Sequence, residues 1–179
     1  FTQDTAFLNG MYPRLRLALA YLADLRAGLE QSEGRLGDAE RELVEGLLPL
    51  SGARPGSPQP VHLYADHYWA LLGWKECRAA ASVLGLNEDA TWADEQYRLL
   101  RSAVRRSLRT RMDQMTGDWV PVSAEEDRLD PAAVALLFWP CDETDLVEPH
   151  ELQSSLDSFY EGYLVRREKA WTGLVPADE

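Results

Sequence analysis

Apolar residues recur at steps of three and four positions along most of this chain, which is the spacing of one face of an α-helix. The first such pattern runs from about Met11 to Glu30. A second pattern runs from Ala39 to Leu48 and stops at Pro49, because proline cannot continue a helix. No segment alternates apolar and polar residues for long enough to form a strand, so the sequence predicts an all-α fold.

Four more helices are predicted further along the chain. The segment His62–Gly85 is apolar on nearly every side, as expected for a buried helix, and Gly85 is a typical C-terminal stop. Asn87 is the predicted N-cap of the next helix, which is apolar on one side only. The last two helices begin at Asp130, followed by a proline in the first helical position, and near Pro149.

A stripe of arginines follows one side of the helix that starts at Asn87. Its members are spaced three and four positions apart: Arg98, Arg101, Arg105 and Arg109. Such a stripe can indicate an anionic partner. Since acidic residues dominate elsewhere, we interpret it as a solvated outer face.

A short repeat follows the second helix of each predicted pair. Its three copies are Leu47-Leu48-Pro49, Trp119-Val120-Pro121 and Leu174-Val175-Pro176. Connections within a pair are short, whereas those between pairs, Ser51–Pro60 and Gly117–Leu129, are long. The sequence therefore predicts three antiparallel helical hairpins. We expect the long loops to lie on one face, together with the N-termini of the helices that carry Asp66 and Asp130.

Length and charge narrow the class of protein. A chain of 179 residues with 45% apolar content is long enough for one compact domain with a buried core. Its formal charge of -12 repels phosphate backbones and anionic lipids, so neither nucleic acid nor a membrane is an expected partner. Without a run of about 20 apolar residues or a signal peptide, we expect a soluble, cytoplasmic protein.

The metal-ligating residue types are few and scattered. The two cysteines, Cys77 and Cys141, do not form a CxxC pair, and we expect both to be buried free thiols. His62, His67 and His150 show no metal-ligand spacing. The sequence therefore predicts neither a metal site nor any other cofactor.

Three motifs resemble the glucoamylase-like six-hairpin glycosidases, including bacterial relatives of glycogen-debranching enzymes. They are Tyr64-Ala-Asp66-His-Tyr68-Trp69-Ala-Leu-Leu-Gly73, Leu129-Asp130-Pro131-Ala-Ala-Val-Ala-Leu136, and Trp171 followed by Gly173-Leu-Val-Pro176. The resemblance covers most of the chain but only three of the six hairpins. It implies a partial α/α toroid, with residues 1–179 forming a single helical-hairpin domain that is a segment of a larger one.

The resemblance also implies a carbohydrate site in which Asp66 and Asp130 are the catalytic carboxylates. Glycoside hydrolysis needs such a pair at a defined separation. Each residue has a second interpretation, since Asp66 is also a first-turn acid that suits the helix dipole, and an aspartate before proline is a common N-cap. For Asp130 the residues alone favour capping.

Four further residues are predicted to bind the sugar. Tyr68, Trp69 and Trp119 offer flat rings that stack on sugars, although aromatic residues more often fill a core. Glu126 lies in a loop that could reach a pocket, but with Ser123 it also forms the pattern of a capping box, which is the favoured interpretation.

The resulting hypothesis is a carbohydrate-active segment of a glycoside hydrolase or debranching-type enzyme that acts on glucans. The alternatives are a non-catalytic helical module that binds carbohydrate or protein, and a purely structural module. We expect the chain alone to have little or no glycosidase activity, because half of a toroid would be missing. Its exposed inner helices would then favour a homodimer or the rest of a larger chain as a partner.

Overall fold

The computed structural model describes residues 4–30, 37–52 and 59–172. Six α-helices lie in these ranges: α1 Thr5–Glu30, α2 Asp38–Val44, α3 Tyr64–Val83, α4 Asn87–Gln114, α5 Pro131–Phe138 and α6 Pro149–Thr172. A short 3₁₀ turn, Thr144–Leu146, precedes α6. Strand pairing in the described ranges is limited to three isolated bridges. The predicted all-α fold is therefore confirmed, and all six periodic segments contain a helix.

The helices pack around α3. The fully buried side of α3 lies at the centre, where Tyr64, Tyr68, Leu71 and Trp74 have no exposed surface. Helix α3 packs most extensively on α4, and also contacts α1 and α5. Helix α2 packs on α4. Helices α1, α4 and α5 thus all pack on α3, and α6 packs on α5.

Two turns show how glycine sets the helix ends. Gly85 has a φ of 73°, and the backbone N–H of Leu86 donates to the carbonyl of Ala81 at 2.9 Å, so α3 stops where predicted. Gly46 has a φ of 75° and ends α2 earlier than Pro49 would. A Cβ at Gly46 would lie 3.2 Å from the Cβ of Ala103. The predicted end of this helix was therefore wrong by several residues, and Leu47 and Leu48 turn into the core instead.

Two predicted caps need correction. Asn87 is the first residue of α4, and Leu86 occupies the N-cap position without a side-chain cap. Ser123 does accept hydrogen bonds from the backbone N–H groups of Glu125 and Glu126, at 3.2 and 2.9 Å, but no helix follows. The Ser123–Glu126 pattern therefore forms a turn rather than a capping box.

The second long loop lies against the start of α3. The backbone N–H of Tyr64 donates to the carbonyl of Val122 at 3.1 Å, and that of Ala124 donates to the carbonyl of His62 at 3.2 Å. An isolated bridge joins Pro121 to Leu129, the residue before Asp130. The N-termini of α3 and α5 therefore lie at the same end of the domain, as predicted. Residues 53–58 of the first long loop and the third repeat copy lie outside the described residues.

The sequence predicted that the arginine stripe is a solvated outer face, but its arginines form ion pairs. Arg101, Arg105 and Arg109 form ion pairs with acids of the connection between α5 and α6 and of the first turn of α6. Arg98 pairs with Asp94 of its own helix. The sequence interpretation missed these pairs because the acids lie about 40 positions further along the chain. The stripe therefore joins α4 to the segment that follows α5.

Candidate functional site

Asp66 and Trp69 line an open cavity between α1 and the start of α3. The cavity has a volume of about 400 Å³. Its other lining residues come from α1, from the segment after α2 and from α3: Leu19, Leu22, Leu25, Leu48, Pro49, Leu50, Ser51 and Ala70. We call it the Asp66 cavity. Asp66, Trp69 and Ala70 line the same side because residues three and four apart share a helix face.

The polar part of this cavity is a pair formed by Ser51 and Asp66. The Ser51 hydroxyl donates a short hydrogen bond to Oδ2 of Asp66. Ser51 is itself positioned by the hydrogen bond from its backbone N–H to the carbonyl of Val61, at 2.8 Å. Trp69 is 49% exposed, so a face of its indole ring is open to a ligand. The cavity thus combines an accessible aromatic ring with a carboxylate and a hydroxyl.

His67 holds the segment that closes one side of the cavity. The backbone N–H of Leu48 donates to Nε2 of His67 at 3.0 Å, and Nδ1 of His67 donates to the carbonyl of Leu63 at 2.6 Å. These two bonds define a neutral imidazole with its proton on Nδ1. Burial lowers the pKa of His67 to about 4 because the charged form is poorly solvated there. The sequence pattern bears on His67 only as a metal ligand, so this structural role was not predicted.

Tyr68 does not belong to the cavity. Its side chain is completely buried in the core, and burial raises the pKa of its phenol well above the usual value. A ring with no exposed face cannot stack on a sugar in this structure. We therefore assign Tyr68 to the core and leave it out of the proposed site.

Trp119 and Glu126 lie on the second long loop and are not among the described residues that line the Asp66 cavity. The indole N–H of Trp119 donates to the carbonyl of Asp127 at 2.5 Å, and its ring covers Gly117 so closely that a Cβ there would be 2.2 Å away. Glu126 lies 3.8 Å from Arg128. Both side chains thus contact their own loop.

Asp130 caps α5. Its Oδ1 accepts a hydrogen bond from the backbone N–H of Ala132 at 2.9 Å, and Pro131 occupies the first helical turn. This is the role that the residues alone favoured. The structure does not place Asp130 among the described lining residues of the Asp66 cavity, so we do not include it in the proposed site.

Removing the cap should test this role directly. We expect Asp130→Ala to lower the free energy of unfolding by about 1 kcal/mol, because one backbone donor of α5 loses its partner. Asp130→Asn should leave stability nearly unchanged, since the amide oxygen can accept the same bond. Urea unfolding of both variants measures the difference, and equal losses in the two would contradict a capping role.

Sequence analysis did not anticipate a second polar contact beside α3. Glu125 accepts from the backbone N–H of His62 at 2.9 Å, and its other oxygen lies 2.5 Å from Nδ1 of the same histidine. Partial burial raises the pKa of Glu125, but the hydrogen bonds from His62 outweigh it, so the net shift is downward. The pair pins the second long loop to the start of α3.

Several broader features of the described residues bear on function. Both cysteines are buried and free, as predicted. No group of three or more His, Cys, Asp or Glu side chains in the described ranges is arranged to hold a metal ion. None of the described helices combines the length and the apolar character required to cross a membrane.

Comparisons with protein-family models, curated proteins and solved structures found no match to this chain. The function is therefore inferred from the Asp66 cavity and from the motifs that resemble six-hairpin glycosidases.

Proposed function

We propose that this chain is a carbohydrate-active helical-hairpin domain, part of a glycoside hydrolase or debranching-type enzyme that acts on glucans. The observation that carries the proposal is the half-exposed ring of Trp69 beside the Ser51–Asp66 pair in an open cavity. This cavity lies at the end of the domain where the long loop from α4 meets the start of α3.

The chemistry of the cavity suits a sugar ring. A pyranose presents C–H groups on its faces and hydroxyls around its edge, so it needs an aromatic platform and a few polar partners. Trp69 supplies the platform. The Asp66 carboxylate accepts hydrogen bonds from sugar hydroxyls, and the Ser51 hydroxyl can donate or accept. The leucines of α1 add an apolar part to the lining.

The helix arrangement supports a toroid-like origin. In a ring of helical hairpins, alternate helices line the inside and their partners form the outside. Here α1 and α5 both contact α3, while α2 contacts α4. Apolar side chains also remain exposed on α1, including Phe7, Leu17 and Tyr21. Such surfaces are expected where further hairpins or a second copy would pack.

Binding is the better-supported half of the proposal. Cleavage of a glycosidic bond uses two carboxylates, about 5 to 9.5 Å apart depending on stereochemistry. Of the described residues that line the cavity, Asp66 is the carboxylate-bearing one. We therefore assign Asp66 the role of orienting a sugar hydroxyl in this chain, and we expect no turnover by the chain alone.

Glucan binding should depend on Trp69. We expect Trp69→Ala to weaken the binding of linear α-linked gluco-oligosaccharides by roughly tenfold, because an aromatic contact of about 1 kcal/mol and its buried area are both lost. Isothermal titration calorimetry with maltoheptaose would measure the change. Trp139→Ala is the matched control, since Trp139 is 80% exposed and does not line the cavity.

The same proteins separate the alternatives. Absence of binding by the unmodified chain, or equal losses in the two tryptophan variants, would contradict the proposed site. Sugar release by the chain that disappears in Asp66→Asn would make Asp66 catalytic and overturn the binding-only role. Binding without turnover is the expected result.

A further inference from the structure

A second cavity lies on the opposite part of α3, against α4, and it is lined mainly by cations. Its volume is about 500 Å³, and the lining residues are Lys75, Tyr97, Arg98, Arg101, Ser102, Arg105, Asp142 and Asp145. We call it the arginine cavity. Four basic and two acidic side chains surround it, in a chain whose overall charge is -12. Cations therefore outnumber acids among the lining residues, while Glu143 and Asp94 lie next to three of these cations.

The buried carboxylate of Glu143 holds two of these cations, Lys75 and Arg101. Glu143 has no exposed surface, and its oxygens lie 3.0 Å from Nζ of Lys75 and 2.8 Å from Nε of Arg101. The hydroxyl of Tyr97 donates to the same carboxylate at 2.9 Å. Glu143 is not a lining residue, so it orients Lys75 and Arg101 without occupying the cavity. Lys75 also donates to the backbone carbonyls of Cys141 and Asp142, so its three donors are already taken. Arg101 is held through Nε, and its Nη2 contacts Asp145.

The remaining donors converge on the exposed side chain of Asp145. Its carboxylate lies 2.5 Å from Nη2 of Arg101 and 3.6 Å from Nη2 of Arg105, although 72% of the side chain is exposed. Arg105 also donates to the backbone carbonyl of Asp145 at 2.6 Å, which holds its guanidinium in place. An oxyanion thus already lies between two guanidinium groups. Ion pairs this exposed are weak, so a stronger anion can displace the carboxylate.

We propose that the arginine cavity binds a phosphate group, which takes the place of the Asp145 carboxylate between Arg101 and Arg105. A phosphate carries more charge than a carboxylate and offers three acceptor oxygens, and guanidinium groups bind it through paired hydrogen bonds. The exposed hydroxyl of Ser102, one residue from Arg101, lies in the same lining. This site is separate from the Asp66 cavity and does not depend on the proposed glucan function.

The test is a titration of the purified chain with inorganic phosphate, with ionic strength held constant by chloride, followed by calorimetry and by phosphorus NMR. We expect saturable binding by the unmodified chain. Arg105→Ala should weaken it about tenfold, because a charge-assisted contact is lost. Arg109→Ala should leave it unchanged, since Arg109 pairs with Glu148 and Glu151 and does not line the cavity.

A second pair of variants separates a built site from general electrostatics. Asp145→Asn removes the competing carboxylate and should strengthen phosphate binding by up to about fivefold. Glu148→Gln removes one exposed negative charge outside the cavity and should have little effect. No saturable binding in Asp145→Asn, or the same gain in both variants, would overturn the proposal.

Tighter binding of glucose 6-phosphate than of inorganic phosphate would identify the ligand as a phosphate ester, and equal affinities would identify free phosphate.

Discussion

Replacing Glu143 by alanine is expected to lower the free energy of unfolding by about 3 to 5 kcal/mol. The side chain is fully buried, and its two oxygens pair with Lys75 and Arg101. The side chains of these cations are themselves only 20% and 19% exposed. Without the carboxylate, Lys75 keeps only the backbone carbonyls of Cys141 and Asp142, and Arg101 keeps the exposed Asp145. Both positive charges stay largely desolvated, so the cost comes from the groups left behind as well as from the lost pairs.

Asp145 provides the matched control for this prediction. It pairs with the same Arg101, but its side chain is 72% exposed, and exposed pairs contribute at most about 1 kcal/mol. Asp145→Ala should therefore cost far less than Glu143→Ala. Equilibrium unfolding in urea at neutral pH would measure both variants. A loss below about 1 kcal/mol for Glu143→Ala would show that water solvates the two cations once the carboxylate is gone.

The sequence predicted the helices well because their signals are local. Apolar residues three and four apart share a face whatever the rest of the chain does, and the Asp130–Pro131 pair and Gly85 mark helix ends through their own backbone preferences. The error at Leu47–Leu48 has a tertiary origin, whereas the error at Asn87 comes from the local turn between α3 and α4. Gly46 packs against α4, and the turn at Gly85 places Leu86, rather than Asn87, in the N-cap position.

The site was predictable only where it follows a helix face. Asp66 and Trp69 share one face of α3, so the sequence could place them together. The α1 leucines reach the same cavity through the packing of α1 on α3, and Ser51 reaches it through its bonds to Val61 and Asp66. Periodicity specifies neither contact. Tyr68 was misassigned because an aromatic pair within a helix gives no indication of which ring faces the core.

The role of Glu143 was even less predictable from local sequence patterns. The residue lies in a polar run, Cys141–Asp145, that resembles an exposed loop. Its partner Arg101 is 42 positions earlier in the chain, within a stripe that looked like a solvated face. Charge pairing across such a distance depends on how the α5–α6 connection folds back over α4. No local pattern encodes it, and the buried carboxylate was therefore missed.

Acid should destabilise this protein between about pH 6.5 and pH 4, because His67 is protonated more readily in the unfolded chain than in the folded one. The pKa of His67 is about 4 in the folded chain and about 6.5 when the side chain is solvated, so the unfolded state binds the proton more tightly. The stability associated with neutral His67 is fully present above about pH 6.5 and is lost as the pH falls towards 4. The shift corresponds to about 3 kcal/mol at 1.36 kcal/mol per pKa unit.

Protonation at this position also has a local structural reason to be unfavourable. A charged imidazole has two donors, but Nε2 of His67 must accept the backbone N–H of Leu48. Charging the ring would therefore break that bond and release the segment that lines the Asp66 cavity. The proposed glucan binding should therefore weaken over the same pH range as the stability.

The comparison of wild type with His67→Gln isolates this contribution. Glutamine keeps a donor and an acceptor but has no proton to gain over this range, so the variant should be less stable at pH 7 and should lose less stability between pH 6.5 and 4. His62, Asp66 and Glu125 lie close enough to His67 to affect its pKa, and all three are present in both proteins. Hydrogen bonds from Tyr12 to Asp89 and from Arg101 to Asp145 hold the pKa values of these two carboxyls below the usual range. Their contribution to the stability is therefore lost only in more acidic solution. Urea unfolding at half-unit pH steps would measure both curves, and parallel curves from pH 6.5 to 4 would show that His67 is not the group that titrates.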